Sequence, residues 1–315
     1  MRARATLRAR VALSCSTVLI ACASANSGAT SVSGSGATAS SSISTSASSS
    51  GSASGSSSSG LACIDGPSPD SCPEDAKNYI YMVAQQGALF RFSPSTQKVE
   101  LVDKFHDCPP ASPFALTIDR GGRGWAQFEA EPSQMQHLDL GSTTCSPSCV
   151  PHTPECALAF AGDGAGGEML YLAPETDGGS LQELLRVDIV TGKATSVGFS
   201  DIAPVGVDMT GTSDGRLFQF VKTSATTPPL LAEVDPATGK LVSRTTLPMP
   251  PIEGAWAFAF WGGSFYFFTD DLSSFGSRID RWDPGTQTLT LVMKDLGVDI
   301  SGAGVSTCAP LTPPA

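Results

Sequence analysis

The sequence predicts an all-β fold: a β-propeller of five blades, or six if one blade hides a degenerate turn, closed by the C-terminal strand completing blade one. Three observations carry this expectation. A strand–turn–strand unit recurs five times, further short apolar runs fill the intervals, and the chain ends on one strand more than the last unit requires. The clearest unit is Leu231 to Thr245, centred on Val234-Asp235-Pro236-Ala237-Thr238-Gly239. Its counterparts are Val187 to Gly192, Trp282 to Gln287 and Phe92 to Gln97, with a fainter copy in Leu138 to Thr143. Aligned on the hydroxyl residue three after the Asp or Ser, the copies fall at 96, 142, 191, 238 and 286, at intervals of 46, 49, 47 and 48. A lone hairpin exposes two unpaired edges and is marginally stable, so units of this period must stack as blades.

The turn chemistry explains the repeat. The Asp or Ser oxygen accepts a backbone N–H two residues on, and proline presets φ at the next position. Gly or a small polar residue then closes the turn where φ is positive.

Taken in order, the chain opens on an export signal at residues 1–21. Arg2, Arg4, Arg8 and Arg10 precede an apolar run from Val11 to Ala21 that is too short for a permanent membrane span. Leu19-Ile20-Ala21-Cys22 resembles the lipobox of bacterial lipoproteins, which implies cleavage before Cys22 and its acylation; an ordinary secretory peptide with a chance Cys is the competing reading. Ala23 and Ser24 follow rather than an Asp, and the resemblance then implies the outer membrane or cell surface as the address. Residues 22–60 form the lipidated Cys and a flexible tether. From 26 onward they are almost wholly Ser, Gly, Ala and Thr, a composition that cannot bury enough apolar area to order itself. Such a tether reaches roughly 30 to 35 Å as a random coil.

Residues 61–315 are expected to be the propeller domain. Blade one takes Tyr79–Val83, Leu89–Phe92 and Val99–Val102, and blade two runs from Phe114 through Gly124–Phe128 and Met135–Asp139 to near Val150. Blade three uses Ala157–Phe160, Met169–Leu172, Leu184–Asp188 and Ala194–Val197. Blade four uses Val205–Met209, Leu217–Val221, Leu231–Asp235 and Leu241–Arg244. Blade five uses Trp256–Trp261, Ser264–Phe268, Ile279–Asp283 and Leu289–Val292. Blade one lacks an innermost strand, and Ala303–Cys308 is left over to supply it, which hides both edges of an open array.

Pro113 to Arg120 with Gly124-Trp125-Ala126, Trp256 to Gly263, and Gly302 to Pro310 together resemble an uncharacterised bacterial lipoprotein family with β-propeller-like repeats. That resemblance spans nearly all of 61–315 and implies fold and address, with no activity. The Asp-Pro-x-Thr-Gly turns also resemble those of quinoprotein and lactonase propellers.

Of nine cysteines, Cys15 leaves with the signal and Cys22 would carry lipid, so seven remain: Cys63, Cys72, Cys108, Cys145, Cys149, Cys156 and Cys308. Export to an oxidising compartment makes disulfides the default, with one thiol left over. Cys72 or Cys63 is the expected partner of Cys308, a bridge that would staple the ring. Cys145-x3-Cys149-x2-His152-x3-Cys156 has a superficial zinc-site look, but oxidisable thiols favour disulfides. His137 is expected to be structural and His106, beside Asp107, to lie on loop surface rather than act as a base.

With the four signal arginines removed from 19 basic residues, 15 face 30 acidic ones, a mature net charge near −15. That charge excludes nucleic acid as a partner. No phosphate loop, nucleophile elbow or His-Glu-x-x-His motif is present. The expected function is an envelope-anchored, monomeric scaffold that binds or displays a protein, peptide or glycan, with Trp256, Trp261 and Phe275 as stacking candidates or core. No cofactor is expected. The alternative is a calcium-dependent hydrolase of the lactonase type, with Asp119, Asp163 and Asp208 as the available metal ligands.

Overall fold

A computed structural model describes residues 72–129, 134–150, 154–176, 178–270 and 276–314. The expected signal peptide, Cys22, the tether, the boundary at 61, Cys63, His152 and Phe275 lie outside the described residues.

The described strands form five antiparallel four-stranded sheets. Blade one contains β1 (Ile80–Ala84), β2 (Ala88–Ser93) and β3 (Lys98–Lys104). Blade two contains β4 (Pro113–Ile118), β5 (Gly124–Phe128), β6 (Gln134–Leu138) and β7 (Cys145–Pro147). Blade three contains β8 (Cys156–Gly162), β9 (Glu168–Pro174), β10 (Glu183–Asp188) and β11 (Lys193–Phe199). Blade four contains β12 (Gly206–Gly211), β13 (Leu217–Lys222), β14 (Leu230–Val234) and β15 (Leu241–Thr246). Blade five contains β16 (Trp256–Trp261), β17 (Ser264–Asp270), β18 (Ser277–Asp283) and β19 (Thr288–Met293). The last strand, β20 (Ile300–Gly304), returns to blade one and pairs with β1, Tyr81 opposite Gly304 and Met82 opposite Ala303. The protein is therefore a five-bladed β-propeller whose C-terminal strand completes blade one. The closing strand starts three and ends four residues earlier than the sequence suggests. It ends at Gly304 because Ser306 Oγ accepts the Cys308 N–H at 3.1 Å and Ala309 N–H bonds Ser306 O, which curls the chain out of the sheet.

The repeated turns form as their chemistry requires. Asp188 Oδ1 accepts the Val190 N–H at 2.9 Å, Asp235 Oδ1 that of Ala237 at 2.9 Å, and Asp283 Oδ1 that of Gly285 at 2.9 Å. Gln97, Thr143, Gly192, Gly239 and Gln287 close the five turns, all with φ between 53° and 71°. These turns also join blades. Thr143 Oγ1 donates to Lys104 O at the end of β3, and the end of β11 packs against the turn of blade four, where a Cβ on Gly198 would lie 2.1 Å from Thr238 O.

The innermost strands β20, β4, β8, β12 and β16 each contact the innermost strands of both neighbouring blades, so the ring is closed. Their inward edges would otherwise present unpaired N–H groups. Side chains of the preceding blade cap them: Thr117 Oγ1 accepts from Phe160 N, Asp208 Oδ2 from Phe258 N, Thr210 Oγ1 from Phe260 N, and Ser277 Oγ from Ile300 N. The strands meet backbone to backbone, and a Cβ on Gly211 would lie 2.1 Å from Phe160 O.

Between blades the core is apolar. Blades four and five share Phe218, Phe220, Phe258, Phe260, Phe265 and Phe267, whereas blades three and four meet through Ala157, Ala159, Ala161, Val207 and Met209. Trp261 is 5% exposed and its Nε1 donates to Lys77 O at 2.7 Å, tying blade five to α1 (Glu74–Asn78), the short helix before β1.

Candidate functional site

Strands alternate in direction, so within each blade the first-to-second and third-to-fourth connections are tight turns at one end. The second-to-third connections and the crossings between blades lie at the other. The crossing from blade four to blade five, Leu247 to Ala255, carries three prolines of the run Pro248-Met249-Pro250-Pro251. Proline cannot continue a ladder, so this stretch stands off the sheets. It walls a cleft of about 550 Å³ whose floor comes from Thr269, Asp270, Arg278 and Asp280 on β17 and β18, a volume within the range of small-molecule and peptide pockets.

The floor is fastened. Arg278 donates from Nη2 to Asp280 Oδ1 at 2.8 Å, and its Nε lies 2.7 Å from Asp280 Oδ2, an ion pair whose carboxylate is almost wholly buried. Ser277 Oγ donates to Asp270 Oδ1, and the Ala255 N–H to Asp270 Oδ2 at 3.1 Å. Met249 and Ile252 are buried against the blade-four and blade-five phenylalanines, which holds the wall in place.

Further apolar side chains lie at the same end on blades five, four and three. Trp256, half-buried, packs on Phe220 with ring centroids 5.3 Å apart, and its ring covers Gly206, where a Cβ would lie 2.9 Å from Cζ2. Val205 precedes Gly206 and is exposed; a Cβ on Gly178 would lie 3.3 Å from it. Leu181 and Phe199 are exposed neighbours on the adjoining loop and strand end, joined by the Ser200 N–H to Gln182 O hydrogen bond.

The three carboxylates expected as metal ligands are not brought together. Asp119 is fully buried and accepts from Arg123 N at 2.9 Å, Arg123 Nε at 2.8 Å and Trp125 Nε1 at 3.2 Å. Asp163, at the same place in blade three, accepts from Gly167 N at 2.9 Å, and Thr212 in blade four accepts from Arg216 N at 3.1 Å. All three cap a hairpin turn. Asp208 lies inside β12 and accepts from Met209 N at 2.8 Å and Phe258 N at 2.9 Å; burial pushes its carboxyl up to about 7. Among the described residues no three His, Cys, Asp or Glu side chains gather into a metal-holding group. With their oxygens committed to these separate networks, the three do not fit a shared calcium ion.

Sequence reasoning missed Glu168. It opens β9, accepts from Arg120 N at 2.5 Å and from Thr307 Oγ1 at 2.7 Å, and so joins blades one, two and three. Burial raises its carboxyl to about 7 against those two hydrogen bonds. His137 is buried against Trp125, centroids 4.2 Å apart, and burial lowers it to about 4, so it stays neutral as a core side chain. His106 is exposed, with Nε2 3.6 Å from Asp103 Oδ2.

The cysteines resolve into bridges. Cys72 pairs with Cys308 across a separation of 236 residues, joining the segment before β1 to the chain beyond the closing strand. Cys108 pairs with Cys145, and Cys149 is also disulfide-bonded, while Cys156 keeps a buried thiol. Cys145 and Cys149 thus serve as bridges and not as zinc thiolates. These disulfides fit a chain that matures in an oxidising compartment.

No family model matches the chain, and no curated protein matches it. Among solved structures it is similar to TolB from Acinetobacter baumannii at 13% identity, with a TM-score of 0.45, covering 71% of this chain and 54% of that one. The chain thus spans about half of that protein's length. A nidogen/laminin complex matches at 11% identity and a TM-score of 0.46, covering 75% of this chain and 99% of that one. A putative TolB from Agrobacterium tumefaciens matches at 15% identity and a TM-score of 0.44, covering 77% and 84%.

Proposed function

We propose that this protein is an exported binding scaffold, held at the bacterial envelope through an acylated Cys22 and the Ser/Gly-rich tether, that displays one end of its propeller to a ligand. It acts as a monomer, and the bound partner is a protein, peptide or glycan. The observation that carries the reading is that three apolar side chains, Leu181, Phe199 and Val205, each about half exposed, belong to the same end of the ring as a cleft with a fastened polar floor. Exposed apolar side chains on the end that carries a pocket suit a binding surface. The inner strands, packed backbone to backbone, leave little room for a ligand on the axis.

The test replaces Leu181, Phe199 and Val205 together with Asp. All three are exposed, so the thermal midpoint should stay close to that of the wild type. The reading predicts that the wild-type chain in detergent-solubilised envelopes migrates in a complex that the triple variant loses. Identical migration of the two chains would refute it.

A further inference from the structure

We infer that the cleft between the blade-four-to-five crossing and blade five receives a basic side chain of an extended, apolar-flanked peptide segment. This rests on the binding-scaffold reading and names its ligand class. The described lining is rich in hydrogen-bond acceptors. Pro248, Pro250 and Pro251 have no N–H, so that wall offers carbonyl oxygens and apolar rings with few donors. Glu253, Asp270 and Asp280 contribute carboxylates, and Arg278, the one cationic side chain among the described lining residues, is ion-paired with Asp280. The lining therefore carries a net charge of −2 within a chain of net charge −11.

A lysine or arginine side chain complements such a surface. Its aliphatic stem lies on Pro250, Ile252 and Leu289 while its head donates to the carboxylates. A glycan fits less well. Its hydroxyls donate and accept alike and its rings stack on aromatic faces, and among the described residues no aromatic side chain lines the cleft. Trp256, Val205, Leu181 and Phe199 at the same end supply contact for the apolar residues that flank the basic one.

Fluorescence anisotropy with the full chain tests this using three probes: a short peptide alternating Lys or Arg with Leu and Pro, its Lys/Arg→Glu counterpart, and an oligosaccharide as competitor. The basic peptide should bind saturably and more weakly as salt rises. Glu253→Lys, at an exposed rim position, should weaken it roughly fivefold, since an exposed attraction becomes a repulsion. Val205→Asp should weaken it too, with the fold of both variants checked by their melting midpoints. Equal binding of the acidic peptide, or binding indifferent to both substitutions, would overturn the assignment. Binding of the oligosaccharide alone would overturn the peptide class and leave the scaffold reading standing. If no probe binds, the inference fails, and loss or persistence of the envelope complex in the triple Asp variant then decides the scaffold reading separately.

Discussion

Replacing Asp208 by Asn should change how stability depends on pH. The wild-type carboxyl is fully buried and raised from 3.8 to about 7, chiefly by desolvation, with the N–H groups of Phe258 and Met209 only partly offsetting it. A folded-state pKa above the unfolded value means that the native state holds the proton more tightly. The associated stability is complete below about pH 4 and is lost as pH rises through about 7. A shift of about three units corresponds to about 4 kcal/mol. Glu168, raised to about 7 by burial, acts in the same direction over the upper part of that window, while His137, lowered to about 4, opposes the two carboxyls only below about pH 6.5. Wild-type stability should therefore fall between pH 5 and pH 8, and urea unfolding at a series of pH values measures the slope. Asn removes the titration. It keeps one acceptor for Phe258 N–H and strands the other donor, at a cost of about 1 to 3 kcal/mol. The variant should thus be close to the wild type at pH 5, where the wild type has already lost about 1.5 kcal/mol, and more stable than it by about 1 to 3 kcal/mol at pH 8. An unchanged pH slope in the variant, or wild-type stability that rises from pH 5 to pH 8, would refute the assignment of this carboxyl as a buried inter-blade cap.

Replacing Cys72 and Cys308 together by Ala removes a bridge across 236 residues, for which chain entropy sets a ceiling of about 5 kcal/mol. The thermal midpoint should drop by as much as roughly 10 to 20 °C, and an unchanged midpoint would show that the bridge does not hold the ring. Gly211→Ala drives a Cβ into Phe160 O where β12 meets β8, so expression as inclusion bodies or a loss of roughly 3 kcal/mol or more is expected, checked by soluble yield and denaturant midpoint. Cys22→Ser should abolish incorporation of labelled palmitate and release the domain from membranes; label retained by the variant would remove the lipid anchor from the account.

The architecture was legible because the same local chemistry is written five times. An Asp or Ser acceptor and a residue able to take positive φ set each turn, and regular spacing set the blades. Ring closure was legible from a count of strands. The end of the closing strand was misplaced because Ser306 and Thr307 read as strand residues, whereas the Ser306 hydroxyl bends the chain. Asp119 and Asp163 looked like metal ligands because acids at strand ends often are. A signal to the contrary was present: the equivalent residue in blade four is Thr212, which serves a turn cap and would serve a calcium site poorly. Asp208 read as a metal ligand too, and its role as an inter-blade cap was not legible, since its partner Phe258 lies fifty residues away on the next blade. The cleft was likewise hidden. Its wall and its floor come from separate segments that only the stacking of blades four and five brings together, and the proline run of the crossing was the sole visible hint.

The central claim is that the two ends of the ring do different work, and site-specific photocrosslinking in intact cells tests it most directly. A photoreactive side chain at Val205 or Pro250 reports on the cleft end, and one at Val190 or Gly285 on the turn end. The account predicts a discrete crosslinked species from the first pair and none from the second; equal products from both ends, or products from the turns alone, would contradict it.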